Sequence, residues 1–262
     1  MSLTRPAGGI AADLRRGVLA GLLAGLLAGV FALTVAAPAM EAALAHEAGH
    51  AHGDTAAHGH GDAAVADHED ATFSRATQRV GLVVGTAVFG AAMGAVFGVA
   101  AAWAAGRLHG DAWRRSLTLG VAVSVIVVLL PAIAYPPNPP GVGDPDLVAA
   151  RSVLYLLVIG VGLFAAAGAW WVDRVARARG MAPAAAGTVA IVGAAVVAGT
   201  IVAALPDLPT AQAYPADLMW RFRLGSVGTQ LVLWGGLAVI HGLLAIERPV
   251  RAGVPTAAGH AG

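Results

Sequence analysis

Six apolar runs dominate the chain, at residues 17–37, 81–105, 116–135, 152–172, 184–205 and 224–245, and none contains Asp, Glu or Arg. Each is 20 to 25 residues long, and about 20 helical residues cross a hydrocarbon layer. Transmembrane strands would instead alternate apolar and polar positions over about 10 residues, and no such alternation occurs here. The pattern predicts an all-α integral membrane protein, a bundle of six helices forming one membrane domain across residues 1–262. Residues 41–79 are the one long polar connection. They carry few bulky apolar side chains and are predicted to form an outer loop, disordered without metal. The connections after spans two and four are short, which predicts that spans two and three, and spans four and five, pack as antiparallel neighbours.

Glycine recurs at every fourth position of the first run (Gly17, Gly21, Gly25, Gly29), with Ala20, Ala24 and Ala28 beside it. Span two repeats the spacing at Gly81 and Gly85, and again at Gly90, Gly94 and Gly98. Small-residue faces let helix backbones approach closely, which replaces in lipid the missing hydrophobic drive. Tight packing within the bundle or in a homo-oligomer is the plainer reading of these faces. A moving or pore-lining face is the other.

Composition strengthens the membrane reading and removes several chemistries. Charged residues make up 12% of the chain, half the roughly 25% of a soluble domain, so the lipid bilayer is the first partner implied. There is no Cys, which excludes disulfides and thiolate metal sites. There is no Lys, which excludes a Walker A loop and Schiff-base chemistry. No nucleotide cofactor and no nucleic-acid partner is expected.

Charge is distributed unevenly between the connections. The N-terminal tail, 106–115, 173–183 and the C-terminal tail hold Arg5, Arg15, Arg16, Arg107, Arg114, Arg115, Arg174, Arg177, Arg179, Arg248 and Arg251 against four acids. The other connections hold five arginines against eleven acids. Arg-rich loops stay cytoplasmic, so both termini are expected in the cytoplasm of a bacterial inner-membrane protein, with 41–79 outside. Residues 13–39 also admit a signal-peptide reading, with Arg15 and Arg16 as its basic region and Ala36-Ala37-Pro38-Ala39 as a cleavage site.

Six of the nine histidines, His46, His50, His52, His58, His60 and His68, lie in 23 residues of the outer connection. Neutral imidazole is a common ligand for divalent transition metals, and Glu47 and Asp54 add carboxylate oxygens among them. The tract reads as a flexible, multi-site trap for Co2+, or for Ni2+ or Zn2+; the alternative is an inert solvated linker. Its first residues, His46-Glu47-Ala48-Gly49-His50, also match H-E-x-x-H, which on a helix would hold zinc for a metalloprotease. Four glycines between 49 and 61 argue against that helix.

The two remaining outer connections are alike: each breaks a span with proline and then offers Pro, Asp-Leu and Arg before the next. Asp144 with Pro145 suits the N-cap and first turn of span four. Asp217 suits the start of span six, and the arginines there are expected to pair with it. Asp146, Arg151, Asp207, Asp217 and Arg221 are the candidate outer mouth. Thr229, Gln230 and His241 of span six are the candidate path, with Thr86, Thr118, Ser124, Thr200 and Ser226 as further in-span hydroxyls. Interhelical hydrogen bonding is the plainer reading of the hydroxyls and Gln230, an interfacial histidine the plainer reading of His241 with an exit ligand as the other, and caps and ion pairs the plainer reading of the mouth. No carboxylate falls inside an apolar run, which argues against a proton- or sodium-coupled carrier.

The segments Tyr135-PPNPPGVGDPD and Tyr214-PADLMWRFRLGSVGTQLVLW resemble the CbtA family of predicted cobalt transporter subunits. The plan of one span, a long histidine-bearing connection and further spans joined by proline-rich turns is similar over essentially the whole chain. The resemblance implies cobalt uptake for corrin cofactors beside a small single-span, histidine-bearing partner (CbtB-like). It assigns no ligand set residue by residue. The expectation is a non-enzymatic component of an uptake system; a membrane-anchored metal chaperone or sensor is the rival.

Overall fold

The computed structural model describes residues 8–53, 74–108, 110–139, 142, 144–208 and 214–246. Helix α1 (Gly8–Phe31) continues through a π-helical turn (Ala32–Ala36) into α2 (Ala37–Gly53). Then come α3 (Arg75–Ala104), α4 (Ala112–Val123), a second π turn (Ser124–Leu129), α5 (Leu130–Ala134), a 3-10 turn (Pro145–Leu147), α6 (Val148–Ala178), α7 (Pro183–Ala203) and α8 (Ala216–Ala245). Among the described residues there is no strand, and six helical stretches are long and apolar enough to cross a membrane. They are Gly9–His46, Ala76–Ala104, Ala112–Ala134, Val148–Ala178, Pro183–Ala203 and Ala216–Ala245. Each overlaps one of the six apolar runs.

The first helix is longer than its apolar run. It passes unbroken through residues 36–39 and on to Gly53, so the connection between spans one and two is shorter than 41–79. Ala dominates 37–51 and is the best helix former, so single glycines do not end the helix. The remainder of the connection expected to be disordered, residues 54–73, lies outside the described residues.

Spans one and two form an antiparallel pair whose backbones touch along the glycine faces. A Cβ added at Gly17 would run into the Gly94 carbonyl oxygen and lie 2.9 Å from Gly98 Cα. One added at Gly21 would meet the Gly90 carbonyl and Gly94 Cα at 2.8 Å, and one at Gly25 would meet Ala87 Cα at 2.8 Å. The seam ends at Gly29 against Val83 and Thr86. Gly81 and Gly85, which share the spacing, have nothing within 4 Å and lie outside the seam. The glycine face is therefore used for close packing of α1 on α3.

Span six is the least apolar of the six and is packed between span one and span three. Gly225 lies on Ala36, Gly228 on the Phe31 ring and Gly236 on Ala24. On the other side Gly120 meets Ala238, and Gly242 meets the Trp113 ring. The buried core gathers Ala24, Ala28, Phe97, Val128, Leu233, Trp234, Leu237 and Ala238. Large apolar side chains on the outward faces, such as Val88, Ile133, Leu156, Phe164 and Ile191, are exposed, as lipid contact requires.

Neighbour relations correct part of the expectation. Spans four and five do pack as a hairpin, joined by Gly180 at φ +86°, whose helix-ending turn bonds Met181 N–H to the Ala176 carbonyl at 3.1 Å. Spans two and three barely touch, because the glycine seam commits span two to span one and span three turns to span six. The four-five hairpin meets the rest chiefly through the C-terminal half of span three, where a Cβ added at Gly162 would lie 2.9 Å from Ile126 Cγ2.

Candidate functional site

Span three carries its π turn where its C-terminal half meets span four. Pro131 has no N–H for the Val127 carbonyl four residues back. The helix widens into its π turn, with the Leu130 N–H bonded to Val125 O. The Tyr155 hydroxyl of span four donates instead to the Val127 carbonyl at 3.1 Å. Beyond the π turn the proline-rich turn folds back. The buried Tyr135, just past the last spanning residue Ala134, donates its hydroxyl to the Pro206 carbonyl at 3.0 Å. Burial, and then the nearby Asp207 carboxylate, push the Tyr135 hydroxyl above its usual range of about 10. Arg223 of span six closes the turn from the other side, donating from Nε to Pro137 O at 3.3 Å and from a terminal guanidinium nitrogen to Asn138 Oδ1 at 3.2 Å.

These ties frame a cavity of about 570 Å3 between spans three, four and six, at the end that holds the proline-rich turns. Tyr135, Asn138, Asp144, Arg151, Tyr155, Ser226 and Gln230 supply its polar lining; the rest is mainly Val, Ala and Pro. Asp144 caps the 3-10 turn that precedes span four, accepting from Asp146 N–H at 2.9 Å, while the spanning helix itself starts after Leu147 without a side-chain cap. The Arg151 guanidinium is half-buried and has no ion-pair or hydrogen-bond partner among the described residues. Asn138 Nδ2 is buried and likewise without a partner.

The predicted outer mouth is thus only partly assembled. Arg151 and Gln230 line the cavity; Asp146, Asp207, Asp217 and Arg221 are exposed and do not. The expected pairing of Asp217 with an arginine is absent among the described residues, because Arg223 turns to the proline-rich turn and Arg221 lies exposed. Sequence reasoning does not single out Asn138 and Arg223 for the cavity. Their signal is the long turn itself, since a chain with many prolines needs partners other than N–H groups for its carbonyls.

The hydroxyls do not form a continuous path. Thr229 donates to Gly225 O at 2.8 Å, Thr118 to Arg114 O at 2.9 Å and Thr200 to Val196 O at 2.8 Å, each one turn back in its own helix. Thr86 does the same to Leu82 O. These bonds replace the interhelical ones expected. His241 lies eleven residues from Gln230, about 16 Å along the helix. It is 3% exposed, with Nδ1 3.2 Å from Ser116 Oγ and its ring edge-on to Phe97. Ser116 donates to Ala238 O at 2.8 Å. The longer first helix also brings Asp13, paired with Arg16 at 3.1 Å, close enough to act electrostatically on His241.

Of the histidine tract, His46 is half-buried with its ring edge-on to Tyr214 at 5.2 Å, so the root of the tract sits beside the entry to span six. Glu47, His50 and His52 fall on the helical backbone of α2. Asp54, His58, His60 and His68 lie outside the described residues. The helix does cover the H-E-x-x-H residues, contrary to the glycine argument. No group of three or more His, Asp or Glu that would hold a metal ion occurs among the described residues.

Fold and site together define a multi-pass helical membrane protein with a partly polar cavity beneath its proline-rich turn. A family model described as probable cobalt transporter subunit (CbtA) matches residues 11–246, nearly the whole chain, and the protein belongs to that family. No curated protein and no solved structure matches it.

Proposed function

We propose that this chain is the membrane-embedded subunit of a cobalt uptake system, oriented with both termini in the cytoplasm and the histidine tract outside. The family match over residues 11–246 carries the reading. The charge asymmetry of the connections supports the orientation. His46, Glu47, His50, His52, Asp54, His58, His60 and His68 raise the local concentration of Co2+, or of Ni2+ or Zn2+, and the root of the tract beside Tyr214 favours delivery to the outer turns. Cargo then enters the cavity bounded by Asn138, Arg151 and Gln230. Asp146, Asp207, Asp217 and Arg221 act around the mouth as surface charges. His241 stands as the exit-side polar group. A small single-span, histidine-bearing protein is the expected partner.

Purified protein in liposomes loaded with a metal-sensitive dye tests this. Cobalt-dependent influx supports transport. Binding without influx, with or without the small partner, refutes it in favour of a tethered metal chaperone. Glu47→Gln discriminates the protease alternative, since it abolishes peptide cleavage by an H-E-x-x-H enzyme and barely alters capture by the other ligands.

A further inference from the structure

We infer that the outer cavity receives its metal wrapped in a carboxylate chelate rather than as a bare cation; this deepens the uptake reading above. Its described lining holds no His or Met, and its one carboxylate, Asp144, already accepts the Asp146 N–H. Imidazole, thiolate and carboxylate groups are what bind Co2+, Ni2+ or Zn2+ well. What the cavity does offer is donors. The Arg151 guanidinium is half-buried and unpaired among the described residues, Asn138 Nδ2 is buried and unpaired, and the Ser226 hydroxyl and Gln230 amide stand nearby. A second guanidinium, Arg223, lies directly behind Asn138 and turns that amide's oxygen away, leaving its NH2 group free.

A bare divalent ion would meet this positive side chain with the single Asp144 carboxylate, and no His or Met, to offset the repulsion. A carboxylate matches it, because the planar guanidinium fork engages two oxygens at once. Size agrees. An ion with six waters fills about 180 Å3 at the liquid's share of about 30 Å3 each. The cavity of about 570 Å3 falls in the roughly 300–1,000 Å3 range of small-molecule sites. Its apolar walls of Val128, Ala132, Val148 and Val227 suit the carbon skeleton of an oligocarboxylate. The histidine tract and the cavity then have separate tasks, one gathering metal and the other accepting the complex by its anionic ligand.

Equilibrium binding of radiolabelled citrate to the full chain in phosphatidylcholine nanodiscs is the test, run with and without cobalt. Citrate binds in both cases, and Arg151→Gln weakens it by about tenfold or more while Arg151→Lys recovers part of the loss. Asn138→Leu weakens it independently. Tryptophan fluorescence and thermal unfolding in the same discs stay at wild-type values in these variants and show that they are folded. Citrate that fails to bind wild type, or binds Arg151→Gln equally well, overturns the proposal. So does displacement by phosphatidylglycerol, which would give the oxyanion site to a lipid headgroup. In liposomes, uptake that tracks only the free ion left by citrate overturns it and spares the transport reading. Citrate bound through Arg151 with no cobalt influx in any form removes the transport reading and leaves the site standing.

Discussion

The glycine seam between spans one and two makes a sharp quantitative test, because two glycines with the same spacing behave differently. A Cβ at Gly21 would lie 2.8 Å from Gly94 Cα, about 0.6 Å short of the 3.4 Å at which ordinary contact begins, and would run into the Gly90 carbonyl. Both obstacles are backbone, so no side chain can rotate away and the helices must separate. A gap of about 0.5–1 Å forfeits a quarter to a half of each contact along the seam, and overpacking of this kind costs about 1–3 kcal/mol. Gly85→Ala meets nothing within 4 Å. It gains helix propensity of up to about 1 kcal/mol, a gain Gly21→Ala shares. Comparing the two variants therefore isolates the seam, with Gly21→Ala about 1–3 kcal/mol less stable than Gly85→Ala. Titration with sodium dodecyl sulfate in mixed micelles, followed by tryptophan fluorescence, measures the difference. If the two variants agree within about 0.5 kcal/mol, the size of an ordinary surface substitution, the close backbone approach is wrong.

Tyr155→Phe removes the hydroxyl that serves the Val127 carbonyl and should lower stability by about 1–3 kcal/mol, the effect of an acceptor left unmade away from water; a matching loss is not expected for Tyr155→Phe combined with Pro131→Ala, which restores an N–H donor. Arg223→Gln releases the Pro137 carbonyl and the Asn138 side chain, so hydrogen exchange of the Asn138 amide, the one backbone N–H between Tyr135 and Gly141, should accelerate with little change in span six. Deleting 46–68 should raise the cobalt concentration needed for half-maximal uptake while leaving the melting temperature of the bundle near wild type; unchanged uptake at limiting metal would count against capture. Metal binding by the tract should fade below about pH 6, since imidazoles with a reference pKa near 6.5 take up protons and lose their lone pairs, and isothermal titration at pH 5.5 and 7.5 reads this directly.

Much of the site escapes sequence reasoning for one physical reason. A polar residue near a span end looks the same whether it caps its own helix, faces water or lines a cavity. Asp146, Arg151, Asp207, Asp217 and Arg221 are equivalent candidates on that basis, and the packing of span four against span three beside the π turn singles out Arg151. Arg223 sits two residues beyond Arg221 on a different helix face, and its partners lie 85 and 86 residues away. His241 is legible as an in-span polar group. Its proximity to Asp13 is not, because the first helix extends beyond its apolar run.

The chain alone determined the number of spans, their approximate limits and the all-helical class, because lipid leaves a long apolar run no other way to satisfy its backbone. It also marked the faces of close approach, since glycine every fourth residue returns to one side of a helix. Tertiary structure decided which of those faces meet, and set Gly81 and Gly85 apart from Gly90 and Gly94. It placed span six at the centre and the four-five hairpin at the side. Those outcomes depend on which surfaces fit one another across many residues, and local spacing carries no record of the partner.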